Sequence, residues 1–278
     1  MAGSSSCGPS STSRNPSIDA VSTMPAVVRA KRSIGRVGAG SSSSTTPRYA
    51  PVDLPVRRAI VSAVANVRSD QAIRPEVTWQ TSLLTVARSE PSIDAGFAGL
   101  RRTMLSRGAW VDHVPTWVRG ADDLLADVLA RASWRQRVVT MHGRLVAEPR
   151  LHAWYGTDPH DDSVSPVFGA GADALSSRYD RAFTHLGAAL YRDGRDSVAW
   201  HGDRIPQEII DPVVAIISLG ERRVLRMRPK GGGPSHPFVL HGGDLLVMGG
   251  TSQRTWEHSV PKAGHAGPRL SVQFRHEV

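Results

Sequence analysis

His201-Gly202-Asp203 and, farther along the chain, His258 in Trp256-Glu257-His258 offer two imidazoles and one carboxylate. Two His and one Asp gathered on one face of a metal ion leave the opposite positions open, as a non-haem Fe(II) oxygenase requires. The segment Arg269-Leu270-Ser271-Val272-Gln273-Phe274-Arg275 then supplies two arginines. A guanidinium fork matches a carboxylate bidentately, so such a pair suits a dicarboxylate co-substrate. Together these residues predict chemistry that depends on iron and 2-oxoglutarate.

The elements that must position them are short and β-like. Runs of strand character fall at Leu186–Tyr191, Ser197–His201, Val213–Leu219, Arg222–Arg228, Phe238–Leu240, Asp244–Met248, Thr255–Val260 and Arg269–Arg275. Turn residues divide them, among them Asp193-Gly194, Gly231-Gly232-Gly233-Pro234 and Gly249-Gly250. Strands at this spacing predict a mainly β (α+β) protein, a sandwich or jelly roll with helices in front. Alternation along a strand turns His201 and Asp203 to one face, and Arg269, Ser271, Gln273 and Arg275 to one face. An inward-facing arginine needs an anion, either a buried acidic side chain or a dicarboxylate ligand.

Other constellations are weaker. His241-Gly242-Gly243-Asp244 reads as a turn in which Asp244 bonds its own backbone. His160-Asp161-Asp162 lies in a polar loop, and the glycines after Lys230 lack the Gly-Lys-Ser/Thr ending of a phosphate loop. No Gly-x-Ser-x-Gly elbow is present. Cys7 is the only cysteine, which excludes an internal disulfide or a thiolate zinc site.

Upstream, Ala121 to Ala132 carries Leu124, Leu125, Val128 and Leu129 at helical spacing, with Asp122 and Asp123 in the opening turn. A second helix is expected over Ala172 to Tyr179, and another over Leu54 to Val67. Residues 1–50 hold 13 Ser and 4 Thr. With few large apolar groups to offset ordering entropy, residues 1–76 are expected to be a disordered basic tail, and 77–278 the folded domain. The net charge is +9, and 1–76 contribute most of it. With 31 arginines against three lysines, the charge is weak support for nucleic acid. No apolar run reaches membrane-spanning length, so a cytoplasmic protein without a membrane partner is expected.

Residues 186–275 resemble the AlkB family of 2-oxoglutarate dioxygenases, in particular its actinobacterial-type alkylation-repair members. The resemblance is carried by Leu190-Tyr191-Arg192-Asp193-Gly194-Arg195-Asp196-Ser197, His201-Gly202-Asp203 and Gly243-Asp244-Leu245-Leu246-Val247-Met248-Gly249-Gly250. It continues through His258-Ser259-Val260-Pro261-Lys262 and Arg269-x-Ser-x-x-Phe274-Arg275. Glu148-Pro149-Arg150-Leu151-His152-Ala153-Trp154-Tyr155-Gly156 is similar to the segment that opens the family's nucleotide-recognition lid. The resemblance implies a double-stranded β-helix with helices in front of it. It also implies Fe(II), 2-oxoglutarate and O2 as cofactors, and oxidative dealkylation of bases in alkylated DNA, or RNA, by a monomer.

Carried over by residue, His201, Asp203 and His258 match the iron ligands. Arg269 matches the arginine that pairs with the distal carboxylate of 2-oxoglutarate, with the Tyr191 hydroxyl beside it. Arg275 matches the arginine near the carboxylate that chelates iron. Ala189 stands where the family has an Asn that hydrogen-bonds the co-substrate, and Ser271 replaces another frequent Asn while keeping a hydroxyl. Arg204 and Ile205 stand where acidic residues that help read the damaged base are usual, so the base preference does not carry over. Tyr155, Phe168 and Trp200 are candidates either for stacking on a flipped base or for packing. Arg150 is a candidate either for a phosphate contact or for bracing the lid. Two competing readings remain: the same oxygenase chemistry on a protein or small molecule, and a nucleic-acid-binding jelly roll whose oxygenase site has decayed.

Overall fold

The computed structural model describes residues 72–77, 90–141, 143–203 and 205–276. The expected helix over Leu54 to Val67, and the expected tail up to residue 71, lie outside the described residues. Near the end of that expected tail, the Ile73 amide donates to the Trp134 carbonyl at 2.6 Å.

The chain runs through β1 (Ser92–Ile93), β2 (Arg101–Met104), β3 (Ala109–Val114), β4 (Val118–Arg119) and helix α1 (Ala121–Arg131). A hairpin of β5 (Val138–Met141) and β6 (Arg144–Ala147) leads to β7 (Leu151–Gly156) and helix α2 (Pro166–Tyr179). Then follow β8 (Phe183–Tyr191), β9 (Val198–His201), β10 (Val214–Gly220) and β11 (Arg223–Pro229). The chain ends through β12 (His236–Leu240), β13 (Leu245–Gly250), the short helix α3 (Ser252–Thr255), β14 (Trp256–Val260) and β15 (Arg269–His276).

Every strand expected from residue 186 onward is present. They form two antiparallel sheets, a seven-stranded one ordered β2-β3-β13-β10-β15-β8-β7 and a four-stranded one ordered β12-β11-β14-β9. Alternation divides the apolar residues of the large sheet between two cores. Val111, Val214, Ile216, Leu246 and Met248 face Leu225, Met227, Leu240 and Trp256 of the small sheet. Leu186, Leu190, Ala215, Ile217, Leu245, Val272 and Phe274 belong to the other core, with Leu124, Leu125, Phe168 and Leu175 of the helices. This is the expected jelly roll: two facing sheets, with helices covering the outside of the larger one. Among the described residues no helix is long and apolar enough to cross a membrane.

Two expectations need correction. Helix α2 begins at Pro166, six residues before the expected start, with Ser165 at its N-cap position. Gly169 and Gly171 lower the helical signal there, but both are buried, and a Cβ at 169 would stand 2.6 Å from the His160 ring. The region before α2 also holds seven strands that the sequence reading did not anticipate. They are two to six residues long, and β2 and β6 are exposed along their whole length, so no apolar alternation marks them.

The turns behave as read. Gly231, Gly232 and Gly233 all have positive φ (89°, 104° and 114°), a conformation open to glycine, and they close the β11–β12 hairpin. Asp244 accepts from the backbone amides of His241 and Thr116, both at 2.9 Å, which ties the turn before β13 to the loop after β3.

Candidate metal and co-substrate site

Strands β9 and β14 pair with His201 opposite His258, and the two imidazole centroids lie 4.3 Å apart. Asp203 follows β9, two residues beyond His201. One ligand atom from each of the three residues lies within 4.8 Å of the others, a spacing that one metal ion can bridge. His201 Nδ1 lies 2.9 Å from the Ala199 carbonyl. A carbonyl can only accept, so Nδ1 carries the proton and Nε2 is left with its lone pair for a metal. Burial pushes the His258 pKa down to about 4, so this imidazole is neutral at ordinary pH, as a ligand must be. Burial alone would raise the Asp203 pKa, but His258 and Arg275 outweigh it and hold the carboxyl below its usual range. Arg275 Nη2 donates to Asp203 Oδ1 at 2.8 Å, which orients the carboxylate.

The large sheet forms the opposite wall. On β15 the residues Arg269, Ser271, Gln273 and Arg275 share the inward face, as the strand period requires. Arg269 is 1% exposed, and its Nε donates to Ser218 Oγ at 3.1 Å. Its Nη1 is buried with no partner in the protein. Burial lowers its pKa to about 10, which still leaves it charged at neutral pH. Tyr191 lies directly across the β8–β15 ladder, with the Arg269 guanidinium 5.2 Å from its ring centroid. Arg223, also buried, lies 5.6 Å from the same ring and donates to the carbonyls of Asp193, Asp196 and Pro261.

The choice between a protein acid and a ligand is thereby divided between the two arginines. Arg275 has a protein acid, Asp203. Among the described residues no carboxylate pairs with Arg269. A buried, charged arginine with a free N–H is the feature that a ligand carboxylate satisfies. The donor set therefore fits Fe(II) on His201, Asp203 and His258, and 2-oxoglutarate reaching toward Arg269.

The four residues considered for substrate divide differently. Phe168 is fully buried, with its ring 6.3 Å from those of Tyr155 and Phe274 in the helix-side core. Tyr155 packs on the same core, and burial raises its hydroxyl to about 12. Neither can stack on a base at the metal, because the large sheet separates that core from the site. Trp200 alternates with His201 and so turns to the outer face of the small sheet. The Arg228 guanidinium caps its ring at 4.2 Å and is ion-paired to Glu257 at 2.5 Å. Arg150 does border the site. It pairs with Glu148 at 3.2 Å and reaches the Ser197 carbonyl at 3.4 Å, and its charge contributes to the depressed pKa of His258. Bracing is thus its visible role.

The inward face of β7 and the residue before it add His152 and Trp154 to Arg150. Arg150, His152 and Trp154 alternate with Leu151, Ala153 and Tyr155 of the helix-side core. Trp154 is 62% exposed and lies over Gly187, with the His185 ring 6.0 Å away. The parity of Leu151 and Ala153 was the signal that could have selected Trp154 over Tyr155. Ile205, after the triad, packs on the inter-sheet core, and Arg204 lies outside the described residues. The segment after Asp203 is pinned by Arg254, which donates to the carbonyls of Ile205, Pro206 and Ile209.

Sequence comparisons agree with this geometry. The sequence pattern of the 2OG-Fe(II) oxygenase superfamily matches residues 119–275. The alpha-ketoglutarate-dependent dioxygenase alkB homolog 3 of Mus musculus is 29% identical over 278 residues, covering 88% of this chain and 95% of that protein. Its Homo sapiens counterpart is 32% identical over 177 residues, 57% of this chain and 62% of that one. The DNA oxidative demethylase ALKBH2 of Arabidopsis thaliana is 32% identical over 117 residues, 34% of this chain and 37% of that protein. The chain belongs to the 2OG-Fe(II) oxygenase superfamily, as a member of its AlkB family. It is accordingly an Fe(II)- and 2-oxoglutarate-dependent dioxygenase.

Proposed function

We propose that the protein removes alkyl groups from N-alkylated nucleobases in DNA, acting as a monomer in the cytoplasm. The observation that carries this is the His201-Asp203-His258 cluster facing the unpaired Arg269, in a chain whose relatives include a DNA oxidative demethylase. When bound, iron and 2-oxoglutarate supply an oxidant for a C–H bond of the N-alkyl group, whose hydroxylated product sheds an aldehyde and restores the base.

The chain's own residues do the positioning. His201, Asp203 and His258 hold the metal, and Arg275 keeps the Asp203 carboxylate charged and oriented. Arg269 takes the far carboxylate of the co-substrate, with Tyr191 and Ser271 beside it. A base reaches such a recessed centre only when turned out of its stack, and an exposed aromatic ring repays part of that cost. Trp154 is the ring so placed, on the inward face of β7.

The test is anaerobic reconstitution with Fe(II), then measurement of succinate release with and without N-methylated single-stranded DNA. Stimulation by the methylated oligonucleotide over its unmethylated counterpart is expected. Stimulation by methylated RNA, protein or free metabolites alone would overturn the DNA assignment. Bound iron without turnover on any of these would overturn the catalytic one.

A further inference from the structure

The inward face of β15 has Arg269 at one end, with its unpartnered Nη1, and Arg275 at the other, against Asp203. Between them stand Ser271 and Gln273. Across the ladder on β8, Ser271 meets Ala189 and Gln273 meets Gly187, neither with a side chain beyond a methyl group, and the Trp154 ring lies over Gly187. The Gln273 side chain does not extend across Gly187. It turns back along its own strand, with Nε2 at 3.0 Å from the Ser271 carbonyl oxygen and 3.0 Å from Ser271 Oγ.

That geometry fixes a proton. A backbone carbonyl only accepts, so the amide atom beside it must be the NH2 group. The same group donates to Ser271 Oγ, which leaves the hydroxyl's own proton to point elsewhere. Ser271 is 3% exposed, and among the described residues no protein acceptor takes that proton. A dicarboxylate that reaches from the metal triad toward Arg269 passes this hydroxyl.

We propose that Gln273 is a co-substrate-positioning residue, whose carboxamide orients the Ser271 hydroxyl to donate to a carboxylate oxygen of 2-oxoglutarate. The bond replaces one that Ala189, with only a methyl group, cannot make. The proposal rests on Arg269 as the partner of the far carboxylate, and it extends the co-substrate site to a side chain two positions from Ser271.

The experiment is anaerobic calorimetric titration of 2-oxoglutarate into the full-length Mn(II)-loaded protein, with no turnover required. Gln273→Ala and Ser271→Ala should each weaken binding about ten-fold, the scale of one hydrogen bond to a charged acceptor. The double variant should be no weaker than Ser271→Ala alone, because Gln273 acts through that hydroxyl. Gln273→Glu should weaken binding further, since a carboxylate accepts the serine proton and repels the ligand. Ala189→Asn in the Gln273→Ala background should recover part of the loss. Unchanged affinity in Gln273→Ala, or losses that simply add in the double variant, would overturn the proposal. Undiminished binding in Arg269→Ala would instead sink the reading of Arg269 on which it rests.

Discussion

Arg269 and Arg275 stand on the same face of one strand, yet their electrostatic situations are opposite. Arg275 neutralises Asp203 across 2.8 Å, whereas Arg269 is buried among groups that carry no compensating charge. A buried unpaired charge opposes folding. Arg269→Met should therefore raise the unfolding midpoint of the metal-free protein while abolishing 2-oxoglutarate binding, a divergence that thermal melts and titration calorimetry would show. His152 and His258 make the second residue-scale prediction. Burial takes both well below the ordinary 6.5, to about 4. Between these values the unfolded chain binds more protons than the folded one, so their contribution is present above pH 6.5 and lost as pH falls toward 4. Melts of the metal-free protein across that window should show a falling midpoint, and His152→Gln should flatten the fall. His258→Ala, which removes a proposed ligand outright, should reduce Fe(II) binding and succinate release to background.

At the scale of elements, alternation along a strand decides which aromatic can reach substrate. Tyr155 and Trp154 are neighbours on β7, and one joins the helix-side core while the other stands exposed on the opposite face, over Gly187. Phe168→Ala should cost about 3–5 kcal/mol of stability through the cavity it leaves, a loss measured in denaturant, with little effect on substrate KM at temperatures where the variant is folded. Trp154→Ala should do the reverse, raising KM for methylated DNA about ten-fold, the scale of one base–aromatic stack, and sparing 2-oxoglutarate binding. The late strands were legible in the sequence because they are apolar on alternate positions and end in glycine-rich turns. Strands β1 to β7 were not, because they are short and in part exposed, and one of them, β3, takes a partner far along the chain, β13. The parity of β7 is legible in Leu151 and Ala153, whose apolar side chains set Trp154 on the opposite face from Tyr155.

For the molecule as a whole, the candidate site lies between two sheets, with His201 and His258 on the small one, Asp203 just after its strand β9, and Arg269 and Arg275 on the large one. Binding a metal and a dicarboxylate across that gap stabilises the folded state in proportion to their affinities. Mn(II) and 2-oxoglutarate together should raise the melting midpoint more than either alone, and Arg269→Ala should remove the extra increment. The candidate residues His201, Asp203, His258, Arg269 and Arg275 could be named from the sequence by itself, because metal ligation and carboxylate pairing demand particular side-chain types at strand-compatible spacing, and the fold brings the first three together. So could a mainly β sandwich or jelly roll, whose period-2 pattern and turns are local properties, while the resemblance to the AlkB family pointed to the jelly roll. Tertiary structure alone decided that Arg269 lacks an acidic partner while Arg275 has one, since a pair is made by proximity across strands. It alone also turned Trp200 outward, buried Phe168 and brought Gln273 against Ser271. Side-chain chemistry is written in residue types, whereas partnership and accessibility depend on which strands the fold sets beside one another.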